Sequence, residues 1–349
     1  RHAQAFARLG PEVQVLGVAD VEARRAADLA ASCGARAFED YHALLDLTPD
    51  IAVVCLPHHL HTEAIVGAAR AGKAILCEKP LCTSLEDAAT IAETLRQTGI
   101  TFVMAHNQLF QPSLIEAQRL LATGVLGRRF VVRSIETFQH GEPAGRRPTQ
   151  FLPPGESPWA WRSDLARMGG GEVLDTGWHA SYRLLALADD RPTEVVAMMD
   201  RYFVPGLPAE DTGLLMVRFA SGAIGHIITS WAFDTVGGWH FEVMGERGSI
   251  AGDEKRLLHQ LHGWQEAALQ TFEPVHTFSA EIAHFLDVVQ RGAPNLATFE
   301  SAARVLQLTK AAYRSVAEGR VMYLPEDPLA APEPVEHLRA ASAVAAGGA

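Results

Sequence analysis

Ile51-Ala52-Val53-Val54-Cys55-Leu56-Pro57 is an unbroken apolar run closed by a proline. Its length and β-branched residues suit a strand. The lack of polar alternation predicts burial on both faces, the habit of a parallel sheet covered by helices. Pro57 ends the run because it has no amide to give to a ladder. Outward from this stretch the same rhythm repeats. On the N-terminal side, Val13 to Asp20 reads as a strand ending in an acid, and Val21 to Cys33 as an Ala-rich helix closed by Gly34. On the other side, His61 to Ala71 is a short amphipathic helix ending at Gly72, Ala74 to Cys77 a strand, Leu85 to Gln97 a helix and Phe102 to Ala105 a last strand. The expectation is a doubly wound parallel α/β domain over residues 1–108.

From about Gln111 the pattern changes. A helix at Pro112 to Thr123 leads into long alternating strands, as at Val195 to Phe203, Gly213 to Phe219 and Gly225 to Trp231. Helical periods recur at Gly177 to Ala188, Glu281 to Arg291 and Phe299 to Ala317. Alternation of this kind predicts an α+β domain over residues 109–325, with a mainly antiparallel open sheet covered by helices on one face. His140 to Trp159, rich in Gly, Pro and Arg without a period, reads as a long surface loop beside the substrate. Residues 326–349 read as a disordered tail.

At 349 residues the chain exceeds what one hydrophobic core usually serves, in keeping with two domains. A formal net charge of -11, with no concentrated basic surface, argues against nucleic-acid or anionic-membrane partners and for a small molecule. Cysteines at 33, 55, 77 and 82 form no C-x-x-C pair and read as buried free thiols. No apolar run is long enough to span a bilayer. The sequence starts at Arg1 in what reads as the back half of a helix. The strand and Gly-rich turn that open a dinucleotide fold are therefore expected upstream of these residues, and a cytoplasmic setting is the default.

Three groups of residues carry chemistry. Asp20, at the end of a strand, can accept hydrogen bonds from the 2′- and 3′-hydroxyls of a ribose and repel a 2′-phosphate, or it can cap the next helix. Cys77-Glu78-Lys79-Pro80 stands at a strand's carboxyl end, where the ligand crevice of such sheets lies. There the Lys79 ammonium can stabilise an alkoxide as hydride leaves, or it is an ordinary surface lysine. Gly169-Gly170-Gly171 precedes Asp175 and His179, whose i, i+4 spacing would put both on one helical face. His179 can then serve as base for an alcohol proton with Asp175 orienting it or gripping a substrate hydroxyl. The other reading is a capping aspartate and a buried structural histidine. Arg162 and Asp164 can reach polar substrate groups or form an exposed ion pair. Pro57-His58-His59-Leu60-His61 lacks the spacing of a metal site, and none is expected.

Together these residues resemble the glucose-fructose oxidoreductase, inositol dehydrogenase and rhizopine-catabolism family (Gfo/Idh/MocA). The marks are Val18-Ala19-Asp20, Tyr41 to Leu45 before Asp50, Pro57 with His61, Ala71-Gly72-Lys73, Glu78-Lys79-Pro80, His106-Asn107, Gly124 to Gly127, and Gly170-Gly171 before Asp175 and His179. The resemblance implies a Rossmann-type nucleotide-binding domain, and a second domain that supports the substrate site and builds homodimers or homotetramers through its sheet. It implies Lys79, Asp175 and His179 as the catalytic set. It also implies cofactor contacts from Asp20, Leu56, Pro57, His61, Glu78 and Lys79, with Asn107 beside nicotinamide and substrate. His58 stands where the family often has asparagine, and Gln108-Leu109-Phe110 replaces a basic-aromatic stretch; both bear on substrate choice.

The activity expected on these grounds is reversible oxidation of a secondary alcohol of a sugar, inositol or related polyol, with NAD favoured over NADP by Asp20. Two other readings stay open: NAD-assisted glycoside cleavage, and a nucleotide-binding sensor without turnover.

Overall fold

A computed structural model describes residues 1–10, 13–139, 160–204, 207–235 and 238–335. The first half runs α1 (His2–Ala7), β1 (Gly17–Ala19), α2 (Ala23–Cys33), β2 (Arg36–Phe38), α3 (Tyr41–Leu45), β3 (Ile51–Val54), α4 (His61–Arg70), β4 (Ala74–Glu78), α5 (Leu85–Thr98) and β5 (Phe102–Ala105). Every strand pairing here is parallel. Helix ends follow local chemistry. Ser84 caps α5 by accepting the Asp87 amide, while Gly34 and Gly99 close α2 and α5 in the left-handed region that glycine enters without penalty. Ile75, Leu76 and Cys77 of β4 are fully buried, so this strand anchors the domain core.

Its strands form two pieces, β1-β2 and β3-β4-β5, and among the described residues no strand pairs between β1 and β3. Two expectations about this half are corrected. The first strand covers only Gly17–Ala19; Val13 and Val15 pack on the core without a ladder partner. The Ile51 run is not buried on both faces, because Val53 and Cys55, which share one face, are exposed. Of the other thiols, Cys77 and Cys82 are buried and Cys33 half-buried, all of them free.

The second half comprises α6 (Pro112–Ala122), β6 (Arg129–Thr137), α7 (Leu165–Met168), α8 (Glu172–Asp175), α9 (Gly177–Ala188), β7 (Pro192–Asp200), β8 (Thr212–Phe219), β9 (Ile224–Ser230), β10 (Phe241–Gly245), β11 (Gly248–Gly252), β12 (Arg256–Leu261), β13 (Ala268–Thr271), α10 (Thr277–Arg291), α11 (Phe299–Glu318), β14 (Met322–Tyr323) and β15 (Glu333–Pro334). Ten strands make one sheet in the order β13-β12-β11-β10-β6-β9-β8-β7-β14-β15. Among the described residues, only β6 and β9 pair in parallel in this sheet. Helices α9 and α11 cover one face. Period-two patterning sorts the side chains: Leu215, Val217 and Phe219 of β8 point into that covered core, while Leu214 and Met216 face out.

The halves are joined where α10 packs on α1 and on the turn at Asn107–Phe110, and where the Ala297 carbonyl accepts the Met104 amide. Residues 326–335, expected within a disordered tail, are instead fixed. Arg304 and Gln307 of α11 donate to carbonyls between Pro325 and Ala330, and β15 pairs with β14. The expected substrate loop at His140 to Trp159 and residues 336–349 lie outside the described residues. No helix among the described residues is long and apolar enough to cross a membrane.

Candidate active site

The carboxyl end of β4 delivers Glu78 and Lys79 to the boundary between the two halves. Lys79 reaches across it. Its Nζ donates to Asp175 Oδ1 at 2.5 Å and to the Asp175 carbonyl at 2.8 Å. Arg162 Nε donates to the other carboxylate oxygen, Oδ2, at 2.6 Å, and its guanidinium lies 4.5 Å from the Trp161 ring centre. The Asp175 side chain is 3 % exposed, so both ion pairs are shielded from water. Burial alone would raise its carboxyl, but Arg162 and Lys79, with a smaller part from His58, hold it well below the usual carboxylate range.

The glycine run fixes where Asp175 stands. Gly169 has φ of 81°, and a Cβ there would lie 2.6 Å from the Thr83 side chain. A Cβ on Gly171 would come within 2.3 Å of the Glu210 carbonyl oxygen. With no side chains in the way, the loop presses against α5's entry and α11, with Tyr313 Oη accepting the Gly171 amide at 2.9 Å. Helix α8, which starts at Glu172, is aimed at Lys79 as a result.

His179 lies in the first turn of α9. The expected pairing of Asp175 and His179 on one helical face is not what the structure holds. Asp175 ends α8, His179 belongs to α9, and the Asp175 carboxylate is taken by Lys79 and Arg162. Two adjacent cations outbid a neutral ring for a carboxylate. The partner of His179 is Tyr182, one helical turn on, whose Oη is 2.8 Å from His179 Nδ1. Tyr182 also accepts the Gln108 amide at 3.2 Å and stacks on His106 at 4.1 Å between ring centres. His106 accepts the Trp178 indole N–H at 2.9 Å, and burial holds its imidazole down at about 3. His179 is likewise held well below the ordinary histidine value, by burial first and then by Lys79, Arg183 and His106.

The residues expected around the cofactor divide. Leu56 and Pro57 follow β3, Lys79 follows β4, and Asn107 follows β5, so all stand at carboxyl ends of the three-stranded piece. Asp20 follows β1. Its Oδ1 accepts the Glu22 amide at 2.8 Å just before α2, and the carboxylate is gripped by Arg25. Asn107 Nδ2 donates to Thr277 Oγ1 on α10 at 3.0 Å. Glu78 faces His2, 2.8 Å from Nε2, and accepts the Lys79 amide. His61 is corrected. It is fully buried, with ring nitrogens 2.8 and 2.9 Å from the Pro80 and Leu56 carbonyls, so it pins two strand ends together and has no surface for a ligand. His58 is also buried; its Nδ1 donates to the Met168 carbonyl and its ring packs edge-on against Trp161.

Sequence reasoning missed Tyr182, although its i+3 spacing from His179 on a well-patterned helix was available. Arg162 was weighed as an exposed ion pair. The pair exists but is buried, and its partner is Asp175 rather than Asp164, which caps α7.

Two family models match the chain. One, described as an oxidoreductase family with an NAD-binding Rossmann fold, matches residues 1–106, and a C-terminal domain of the same GFO/IDH/MocA family matches residues 114–251. Among curated relatives, 1,5-anhydro-D-fructose reductase of Ensifer adhaerens is 27% identical over 78% of this chain and 78% of its own. The NAD(+)-dependent scyllo-inositol 2-dehydrogenase of Bacillus subtilis is 25% identical over 93% of this chain and 92% of its own. Among solved structures, levoglucosan dehydrogenase in complex with NADH and levoglucosan shares the fold at a TM-score of 0.82, with 20% identity over 93% of this chain and 96% of that one.

Proposed function

Because the chain belongs to the GFO/IDH/MocA oxidoreductase family, we propose that it interconverts a secondary alcohol of a sugar, inositol or related polyol with the corresponding ketone, using NAD. One observation carries this reading. A lysine ammonium at a strand's carboxyl end is fixed by the buried Asp175 carboxylate, and His179 stands in the first turn of the helix that follows Asp175. The family relatives named for anhydrofructose and scyllo-inositol support the substrate class.

Residues at the carboxyl ends of both strand pieces suit the cofactor. Asp20 keeps part of its carboxylate exposed for ribose hydroxyls, and Leu56, Pro57, Glu78, Lys79 and Asn107 border the crevice. NAD, when bound, supplies a nicotinamide that accepts hydride. Lys79 donates a hydrogen bond to the reacting oxygen and stabilises the negative charge that grows there. Asp175 and Arg162 hold the ammonium at that point. His179 takes the hydroxyl proton on Nε2 in oxidation and returns it in reduction.

The exposed apolar side chains of β7 and β8 form the outer face of the sheet, through which we place a homo-oligomer. Free cysteines suit a reducing, cytoplasmic setting.

The test is Lys79→Met assayed on an inositol and sugar panel, with NAD affinity measured by calorimetry. The expected result is a loss of about 10²- to 10⁴-fold in turnover with NAD affinity kept within a few-fold. Undiminished turnover by Lys79→Met would remove the mechanism.

A further inference from the structure

His179 has a second hydrogen-bonding side. Nε2 is the nitrogen left for substrate, because Nδ1 is engaged by Tyr182 Oη at 2.8 Å. Tyr182 is itself buried at 3 % exposure, clamped by its stack on His106 and by the Gln108 amide. A phenolic oxygen has two lone pairs and one proton. If Nδ1–H and the Gln108 N–H fill the lone pairs, the proton of Tyr182 is free to point elsewhere. Tyr182 also borders an open-sided pocket of about 560 Å³, together with His106, Gln118, Asp190, Arg191 and Arg304. Each water of the liquid occupies about 30 Å³, so the space holds a chain of them. His179 does not line this pocket, whereas Tyr182, its hydrogen-bond partner, does.

We propose that Tyr182 is a positioning and relay residue, which fixes His179 with its proton on Nδ1 and carries the reaction proton from His179 into that pocket. This rests on the polyol-oxidation reading above. The transfers balance. As hydride leaves the carbinol carbon for the nicotinamide, the hydroxyl proton moves to Nε2, the Nδ1 proton moves to Tyr182 Oη, and the Tyr182 proton passes to water in the pocket. The products are the ketone, reduced cofactor and one released proton. Carbonyl reduction runs the same path backwards.

The surroundings give the relay a purpose. Charged and titratable groups facing His179 are Lys79, Arg183, His106 and Asp175, of which only Asp175 favours the imidazolium. Those facing Tyr182 are Glu136, Arg183 and Glu281. Burial and two cations oppose storage of a proton on His179, and burial with two carboxylates opposes a lasting phenolate. A proton that enters at Nε2 as another leaves at Nδ1 rests on neither group.

The experiment compares the full chain with Tyr182→Phe, which keeps the ring stacked on His106 and removes only the hydroxyl. Nitrogen-15 NMR of the His179 ring reads the tautomer without any substrate. The expected wild-type signal is a protonated Nδ1 with a bare Nε2, reverting in Tyr182→Phe to the mixture of an unpartnered imidazole. In turnover, Tyr182→Phe is expected to lower kcat about tenfold or more with little change in KM, to raise the solvent deuterium isotope effect, and to be rescued in part by Tyr182→His. An unchanged tautomer overturns the proposal, even where kcat falls, because the loss would then be structural. So does an unchanged kcat and isotope effect. If the tautomer shifts as expected but neither protein turns over any polyol, the substrate reading fails while the placement of His179 by Tyr182 stands.

Discussion

Lys79 Nζ stands 2.5 Å from Asp175 Oδ1, and that contact joins the residue just after a buried parallel strand to the end of a short helix in the other half of the molecule. Asp175 is also held by Arg162, so one carboxylate is shared by two cations within a nearly dry space. Substituting Asp175→Asn keeps the shape but leaves the two cations facing each other. Breaking a buried pair in this way costs about 3 kcal/mol or more. Urea unfolding at neutral pH is expected to show a loss of that size, and Asp175→Asn is expected to lose turnover as Lys79→Met does. A stability within experimental error of the parent would mean the charges are better solvated than their burial indicates.

Acid should weaken the fold in two stages. His58 and His106 are both held at about 3 by burial, below the 6.5 expected of the unfolded chain. Between those values the unfolded chain binds protons that the folded protein refuses, so stability rises with pH and is lost as pH falls below about 6.5. Each histidine contributes a slope of about 1.4 kcal/mol per pH unit. Asp175 has the opposite chemistry and the same sign. Its depressed folded value adds stability that is present above about 4, the carboxyl value of the unfolded chain, and is lost below it. Urea midpoints between pH 7 and 5 should therefore fall already in the histidine range. His106→Gln, which can still accept the Trp178 N–H, should flatten that slope by the share of one histidine. An equal slope in both proteins would assign the acid sensitivity elsewhere.

The parts of this architecture written locally were the ones legible in the sequence. Helix α9 at Gly177–Ala188 and strand β5 at Phe102–Ala105 match their expected limits because period and boundary signals coincide there. Strand β2 escaped because Arg36–Phe38 is three residues long with two exposed, too little for a period. The four strands from Phe241 to Thr271 escaped because their meaning comes from neighbours in the sheet, not from their own sequence. In the site, residue types announced Lys79, Asp175 and His179. The pairing was misread because spacing along the chain gives proximity without competition. Arg162, near in sequence but placed by packing on Trp161, decides which group Asp175 serves.

The glycine run offers a test of the scaffold apart from the acid-base residues. At Gly171→Ala the added methyl would meet the Glu210 backbone carbonyl at 2.3 Å, which is not the end of a flexible side chain and must move. Overpacking of this kind costs about 1–3 kcal/mol. Because α8 begins at the next residue and ends at Asp175, displacement there should also disturb the grip on Lys79. The expected outcome is a lowered thermal midpoint together with reduced kcat. An alanine variant as stable and as active as the parent would show that the loop has room the structure does not indicate.

The outer face of the sheet predicts how copies of the chain associate. Val196 pairs with Met216 and Met198 with Leu214 across β7 and β8, and all four present apolar side chains outward, Met198 at 79 % exposure. A contiguous apolar patch on a regular sheet is costly in water, and burial against a second copy returns about 25 cal/mol per Å² covered. Charges placed there should block association while leaving the opposite, helix-covered face untouched. Met198→Glu with Met216→Glu is expected to sediment as a monomer at concentrations where the parent is a dimer or tetramer. Monomer stability should change by about 0.5 kcal/mol or less, as for other exposed substitutions. If the parent is already monomeric at tens of micromolar, the oligomer assignment is wrong. If the double variant assembles as the parent does, the interface lies on another surface.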